Sequence, residues 1–292
     1  MPNHTVHLID ASPYIFRAYF TVPSSVTDAE GKPANAVYGF TNFLIRYLID
    51  EAPTHLAIAF DESLTTSFRN DIYPEYKAQR DLPPKELEAQ LKACREMAIA
   101  FGAETFADAR YEADDLIGTL ADKLLKKGHT VVVVTSDKDL SQLVTAGLSM
   151  FDYAKGERFG AEGVREKFGV EPGQLIDYLG LAGDAVDNIP GVPGVGAKTA
   201  AGLLTGFATM DELYANLDGV AALPIRGAKT LAAKLEAAKD IAYLSRELAT
   251  IARDAPASCD LRRLKLTGPD PKLLDPLFTR LGFERIRARV PM

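Results

Sequence analysis

The chain has 292 residues, 47% hydrophobic and 25% charged, a globular balance for one large domain or two ordinary ones that excludes disordered and fibrous classes. It has no apolar run near the roughly 18 residues of a membrane helix, no secretory pattern at its N-terminus, and two distant cysteines, Cys94 and Cys259, without metal or redox spacing, so a reduced cytosolic setting is expected. With 33 bases against 40 acids the net charge is −7, which disfavours nucleic acid as a partner unless many of the acids gather at a cation site.

Taken in order, the first 160 residues alternate strand and helix patterns. Thr5 to Ile9 predicts a strand ending at Asp10, and Ala34 to Glu51 an amphipathic helix. His55 to Phe60 predicts a second strand, ending at Asp61. A helix over Lys85 to Phe101, a short strand near Ala103–Phe106 and a helix over Tyr111 to Lys127 follow, with Gly128 placed to end the last helix. Thr130 to Thr135 is a β-branched strand just before Asp137. This alternation predicts a parallel sheet covered on both faces. Beyond about residue 160 the pattern turns to short helices broken by Gly and Pro. The division expected is an α/β domain over 1–160 and a helical domain over 161–292. Residues 62–84 lack apolar periodicity, and a connection of that length suggests a lid or binding loop.

Ligands bind at the carboxyl ends of strands in an open parallel sheet. Asp10, Asp61, Asp137 and Asp139 stand at such ends. A single one is an ordinary turn residue; several in register are harder to dismiss. Glu112, Asp114 and Asp115 open a helix, where the macrodipole alone favours acids. Asp184 and Asp187 follow later, three residues apart. Two carboxylates about 4 Å apart repel by roughly 4 kcal/mol at an effective dielectric of 20, so nine together need cations. Oxygen ligands select Mg²⁺ or Mn²⁺, and with no His in the group zinc is disfavoured. Setting nine acids aside leaves 31 against 33 bases, which allows nucleic acid again.

Residues 189–200, IPGVPGVGAKTA, place Gly191, Gly194 and Gly196 before an Ala-rich helix. Their backbone N–H groups suit a phosphate, with Lys198 adding charge; the alternative is a tight turn between helices. The triphosphatase phosphate loop does not fit, because Ala197 intrudes before Lys198-Thr199 and no strand precedes. A dinucleotide fold would want its glycines where this chain has Asp10-Ala11-Ser12-Pro13.

In this order, LID ending at Asp10, AFD ending at Asp61, SFRN…YKAQR, YEADD, TSDKDL and GDAVDNIPGVPGVGAKTA resemble the bacterial 5′ nuclease family. That family comprises the 5′→3′ exonuclease domain of DNA polymerase I and the related flap endonucleases. The resemblance covers nearly the whole chain and implies a free-standing nuclease module. It implies a resolvase-like (PIN-like) α/β domain with a helical arch over about 62–84, then a helical domain. A helix-hairpin-helix near 189–205 would hold duplex DNA and K⁺. Asp10, Asp61, Glu112, Asp114 and Asp115 match the first metal group; Asp137, Asp139, Asp184 and Asp187 match the second. Tyr76, Lys77 and Arg80 match the arch; Arg17 and Arg69 match basic positions near the site. Ala11, with Pro13 after it, departs from the Gly often found there, which bears on the turn beside Asp10.

The expected activity is two-metal-ion hydrolysis of DNA phosphodiesters, as a 5′→3′ exonuclease and 5′-flap endonuclease in replication and repair. The cofactors expected are two Mg²⁺ or Mn²⁺ ions. The partners are DNA with a 5′ flap or 5′ end and RNA–DNA hybrids, with no membrane, in the bacterial cytosol with the nucleoid. Lys77 would stabilise transition-state charge, Arg80 and Arg69 would clamp phosphates, and Tyr76 would stack on a terminal base. Three other readings were weighed. A haloacid-dehalogenase-like phosphatase wants D-x-D, where this chain has Asp10-Ala11-Ser12. A PIN-like ribonuclease shares the acids but not the hairpin. A non-catalytic junction binder has no need of intact carboxylates.

Overall fold

The structure, a computed structural model, describes residues 3–62, 66–80 and 83–291. Its centre is a sheet in the order β3-β2-β1-β4-β5-β6. The strands are β1 Thr5–Asp10, β2 His55–Asp61, β3 Glu104–Asp108, β4 Thr130–Val134, β5 Leu148–Asp152 and β6 Glu157–Phe159. The first five run parallel and β6 pairs antiparallel to β5. Parallel strands need helices on both faces, and the side chains show it. Val6 and Leu8 of β1 enter one core with Val131 and Val133, while Ile9 enters the other with Ile58 and Phe60.

The Ile9 side is covered by α1 Ser12–Thr21, α2 Asn35–Glu51 and α4 Lys85–Ala100. The other face is covered by α5 Ala113–Lys126, which buries Leu116, Ile117, Leu120 and Leu124 against the sheet. Between α1 and α5 in the chain lies the short α3, Phe68–Ile72. A five-residue helix followed by turns is all that the described part of 62–84 contains; residues 63–65 and 81–82 of the expected arch lie outside the described residues.

Helix α6 Ala161–Phe168 still belongs to the sheet, burying Val164 in the α5-side core; the helical unit comprises α7 Leu175–Ala182, α8 Ala197–Gly206, α9 Met210–Ala215, α10 Ala228–Ala237 and α11 Lys239–Ala249. Leu175, Leu179, Leu203, Leu213, Leu235 and Leu248 form its core. Helices α8 and α10 both open on the string Gly-Ala-Lys-Thr, at Gly196 and Gly227, each preceded by Pro-x-x. The chain then returns to the sheet. Ile251, Ala255 and Leu264, the last in α12 Leu261–Leu264, join the α5 side. Leu274, Phe278 and Leu281 of α13 Pro271–Leu281, with Ile286 of α14 Glu284–Arg287, join the other. Gly118 of α5 permits this return, since a Cβ there would lie 2.5 Å from Ile251. No described helix is long and apolar enough to cross a membrane.

Candidate active site

The carboxyl ends of β1 and β2, the turn after β4 and the start of α5 bound a cavity of about 700 Å³. Asp10, Asp61, Glu112, Asp114 and Asp137 line it. Two are aimed by hydroxyls. Thr135 Oγ1 donates to Asp10 Oδ2 at 2.8 Å, and Ser12 Oγ donates to Asp61 Oδ2 at 2.6 Å. Backbone N–H groups add to this, from Ser12 to Asp10 at 3.2 Å and from Ala113 to Asp61 at 2.8 Å. Asp137 sits in a turn of its own, accepting from Asp139 N at 2.8 Å. These bonds hold the acids converging although they repel.

The repulsion shows in their acidities. Burial, then Asp61 and Asp137, hold Asp10 well above the ordinary carboxylate range. Burial, Asp137 and Asp10 do the same to Asp114. Asp137 is raised by burial and by Asp187. Asp139 is pushed up to about 7 by burial, Asp137 and Asp184, and its Oδ1 is buried with no hydrogen-bond partner. Such groups keep a proton or take a cation.

Three of the acids outside the floor, Asp115, Asp184 and Asp187, are already paired. Asp115, expected among the first metal group, is fully buried and forms a bidentate pair with Arg69, both contacts at 2.8 Å. It also accepts from Glu112 N at 3.1 Å and Ala252 N at 2.8 Å. Arg69, expected as a phosphate clamp, is 2% exposed. Its remaining donors go to Leu248 O, Thr250 O and Glu112 Oε2, so all five N–H groups are used and none is left for a phosphate. Together the two residues join α3 and α5 to the chain that leaves α11. Asp184 is 5% exposed and pairs with Lys138 at 2.7 Å. Asp187 pairs with Arg80 and, at 3.5 Å, with Lys77.

Tyr76, expected to stack on a base, is instead packed in the core of the helical unit at 4% exposure. Its hydroxyl lies within hydrogen-bond distance of both Glu112, at 3.0 Å, and Asp187, at 3.1 Å, with one proton shared between the two carboxylates. Lys77 Nζ reaches Glu112 Oε1 at 2.6 Å. Burial works against the Lys77 ammonium, but Glu112 and Asp187 more than offset it and hold its pKa above the ordinary lysine value. Arg17 is exposed on α1, beyond Pro13 and Phe16 on the cavity wall.

The three glycines of the hairpin between α7 and α8 do different things. Gly191 is buried, and its N–H donates to Ser245 Oγ at 2.9 Å, so it faces away from any phosphate. Its φ is +63°, and a Cβ there would meet Gly183 N at 2.3 Å. Gly191 is thus required by the close approach of two backbone segments. Gly194 and Gly196 are exposed, Gly196 as the N-cap of α8, and Lys198 is exposed as the second residue of that helix. An exposed helix N-terminus with a nearby ammonium suits a phosphate.

Among the described residues no three His, Cys, Asp or Glu side chains form a finished metal cage. The donor chemistry nevertheless fits a hard cation: carboxylates and hydroxyls only, raised acidities, and a buried Asp139 oxygen without a partner. Sequence reasoning passed over Ser12 and Thr135, which aim the floor acids, and Lys138, which neutralises Asp184. Their signal was position, each one or two residues from a strand-end Asp.

A parallel sheet with acids at its carboxyl edge, followed by a hairpin-bearing helical unit, defines a resolvase-like domain followed by a SAM-like one. The model of the 5′–3′ exonuclease N-terminal resolvase-like domain matches residues 5–169, and that of the 5′–3′ exonuclease C-terminal SAM fold matches 170–272. The chain belongs to the 5′–3′ exonuclease family. It is 42% identical to DNA polymerase I of Pseudomonas aeruginosa over 95% of this chain and 30% of that protein. It is 42% identical to DNA polymerase I of Bacillus subtilis over 97% of this chain and 32% of that protein. The chain therefore spans about a third of the length of these relatives. In fold it is similar to T5 5′-exonuclease with bound zinc, with a TM-score of 0.68 and 21% identity over 95% of this chain and 99% of that one. It is also similar to the catalytic core of Rad2 in complex with DNA substrate, with a TM-score of 0.62 and 17% identity over 98% of this chain and 91% of that one.

Proposed function

We propose that the chain hydrolyses DNA phosphodiesters from 5′ ends and at 5′ flaps, including RNA primers on DNA, with two Mg²⁺ or Mn²⁺ ions. The observation that carries this is the floor: Asp10, Asp61, Asp114 and Asp137 are gathered on one cavity wall, Asp10, Asp61 and Asp137 are aimed by hydrogen bonds, and among the described residues no side-chain cation forms an ion pair with any of the four. Asp10, Asp61, Glu112 and Asp114 would hold one ion, joined by Asp137, which lines the same cavity although the resemblance put it in the second group; Asp139, Asp184 and Asp187 would hold the other, with Asp115 as a positioning residue. When bound, the ions supply a hydroxide near neutral pH and stabilise charge on the phosphate.

The chain's own residues do the rest. Ser12 and Thr135 hold the carboxylates in fixed directions, so no reorganisation is needed when charge develops. Lys77 and Arg80, released from their acids, present positive charge to the scissile phosphate. The exposed Gly194–Lys198 hairpin and Arg17 hold the duplex by its backbone, without reading bases. A K⁺ ion at the hairpin belongs to the same proposal, as does a setting with nucleoid DNA in the bacterial cytosol.

The test is cleavage of a labelled 5′-flap duplex in Mg²⁺, beside single-stranded DNA and an RNA–DNA hybrid. Flap cleavage that stops in chelator is expected. Absence of cleavage on every 5′-ended substrate in Mg²⁺ and Mn²⁺ would overturn the proposal.

A further inference from the structure

We propose that residues 73–80 are an internal lock, whose cations Lys77 and Arg80 sit on Glu112 and Asp187 until divalent ions displace them, so that ion binding and opening of the cavity are one coupled event. This rests on the proposed cation site and adds how that site is regulated.

The segment is fastened along its length to the loop that carries Asp184 and Asp187. Lys77 N donates to Asp187 O at 3.0 Å. Gln79 Nε2 donates to Ala185 O and Val186 O, both at 3.0 Å, and Arg80 Nε to Val186 O at 3.3 Å. From the other side, Asn188 Nδ2 donates to Glu75 O at 2.7 Å. Tyr76 is anchored in the helical core and bonded to Glu112 and Asp187, while Lys77 spans the same two acids. Glu112 and Asp187 therefore already have cations, and those cations belong to the chain.

The backbone indicates that this closure is held rather than relaxed. Three described non-glycine residues have positive φ: Ala52 ends a helix, and the other two are Lys77 at +56° and Asn188 at +57°, facing each other across the lock. Left-handed backbone at a lysine persists only where its surroundings over-determine it, which is typical of elements with two states. A divalent ion at Glu112 or Asp187 competes directly with the Lys77 ammonium and the Arg80 guanidinium. Losing them removes the ionic share of the contacts that over-determine the bend and leaves it to the hydrogen bonds of Lys77 N, Gln79 and Asn188. The apparent affinity for the ion is then the intrinsic affinity multiplied by the fraction of molecules that are open.

Gln79 makes the test clean, because it is exposed and its side chain hydrogen-bonds, among the described residues, to two carbonyls and no carboxylate. Mg²⁺ alone is titrated by calorimetry into the full chain without DNA. Gln79→Ala should bind Mg²⁺ about three- to tenfold more tightly than wild type, as expected for weakening the closed state by one or two hydrogen bonds. Independently, Mg²⁺ should speed tryptic cleavage after Lys77 and Arg80 in wild type, whereas Gln79→Ala should be cut at the faster rate without Mg²⁺. Asp114→Asn separates the two claims. Mg²⁺ binding that is lost in Asp114→Asn yet unchanged in Gln79→Ala would overturn the lock alone. No Mg²⁺ binding to wild type, or undiminished binding to Asp114→Asn, would overturn the site and the lock together.

Discussion

The floor of the cavity and the seam behind it hold acids of the same kind, a few residues apart, in opposite states. On the floor, Asp10, Asp61, Asp114 and Asp137 meet hydroxyls, backbone N–H groups and one another. At the seam, where the helical unit joins the sheet, Asp115 is held by Arg69, Asp184 by Lys138 and Asp187 by Arg80. Neighbours in sequence divide between the two: Asp114 faces the cavity and Asp115 faces Arg69. The seam acids stabilise the docking of two units, and the floor acids repel until something cationic arrives. A carboxylate's role here follows from whether the protein supplies its counter-charge.

The comparison breaks first at Arg69. Arg69→Met leaves Asp115 buried without its cation and should cost about 3–5 kcal/mol of stability, read by urea unfolding. A loss below about 1 kcal/mol would mean that the pair is not what joins the units. On the floor the opposite is expected. Asp114→Asn should leave stability unchanged or raised, yet slow single-turnover flap cleavage by about a thousandfold or more, since the missing group acts in the chemical step. Asp187→Asn, whose charge is already balanced, should slow it by about tenfold. Equal losses in these two variants would erase the distinction between floor and seam.

Lys77 belongs to both regions. Lys77→Ala should slow the chemical step by about 10²–10³ while leaving DNA affinity nearly unchanged. A rate within about threefold of wild type would remove it from catalysis. Acidity sharpens the contrast further. Asp139 has a folded-state pKa near 7, above the unfolded value of about 3.9. Between those values the native chain keeps a proton that the unfolded chain gives up, so metal-free stability falls as pH rises from about 4 to 7 and is then level. The difference in Tm between wild type and Asp139→Asn, measured in chelator from pH 4.5 to 7.5, should grow over that window; a constant difference would contradict it. The smallest effect lies outside both regions. Lys198→Ala should weaken all duplexes alike and reduce the salt slope of binding by about one. An unchanged slope, or a loss confined to one sequence, would count against the hairpin contact.

Local pattern made much of the sheet legible. Thr5–Asp10, His55–Asp61 and Thr130–Val134 announce themselves by apolar runs, the first two ending in acids of the floor and the third followed by Asp137 three residues on. Strands β5 and β6 escaped notice: Leu148–Asp152 is short and Glu157–Phe159 sits at the edge, so neither carries a long apolar run. The helix α1 escaped because Pro13 at its first turn reads equally well as a loop. The repeated Gly-Ala-Lys-Thr strings at Gly196 and Gly227 were visible as letters, yet the lengths between them hid the repetition of a helix opening.

What the sequence determined alone was the kind of sheet and the edge on which the strand-end acids gather, because strand periodicity places strand-end residues without reference to anything distant. What only the tertiary structure decided was which acids remain free. Arg69 and Asp115 are 46 positions apart and the Leu248 carbonyl is 179 from Arg69, so their meeting depends on the helical unit docking beside α5. The same docking buries Tyr76 and brings Asp187 to Lys77. Charge pairing in a protein interior is a property of distance and of removal from water, and neither is written in the spacing of residues along the chain.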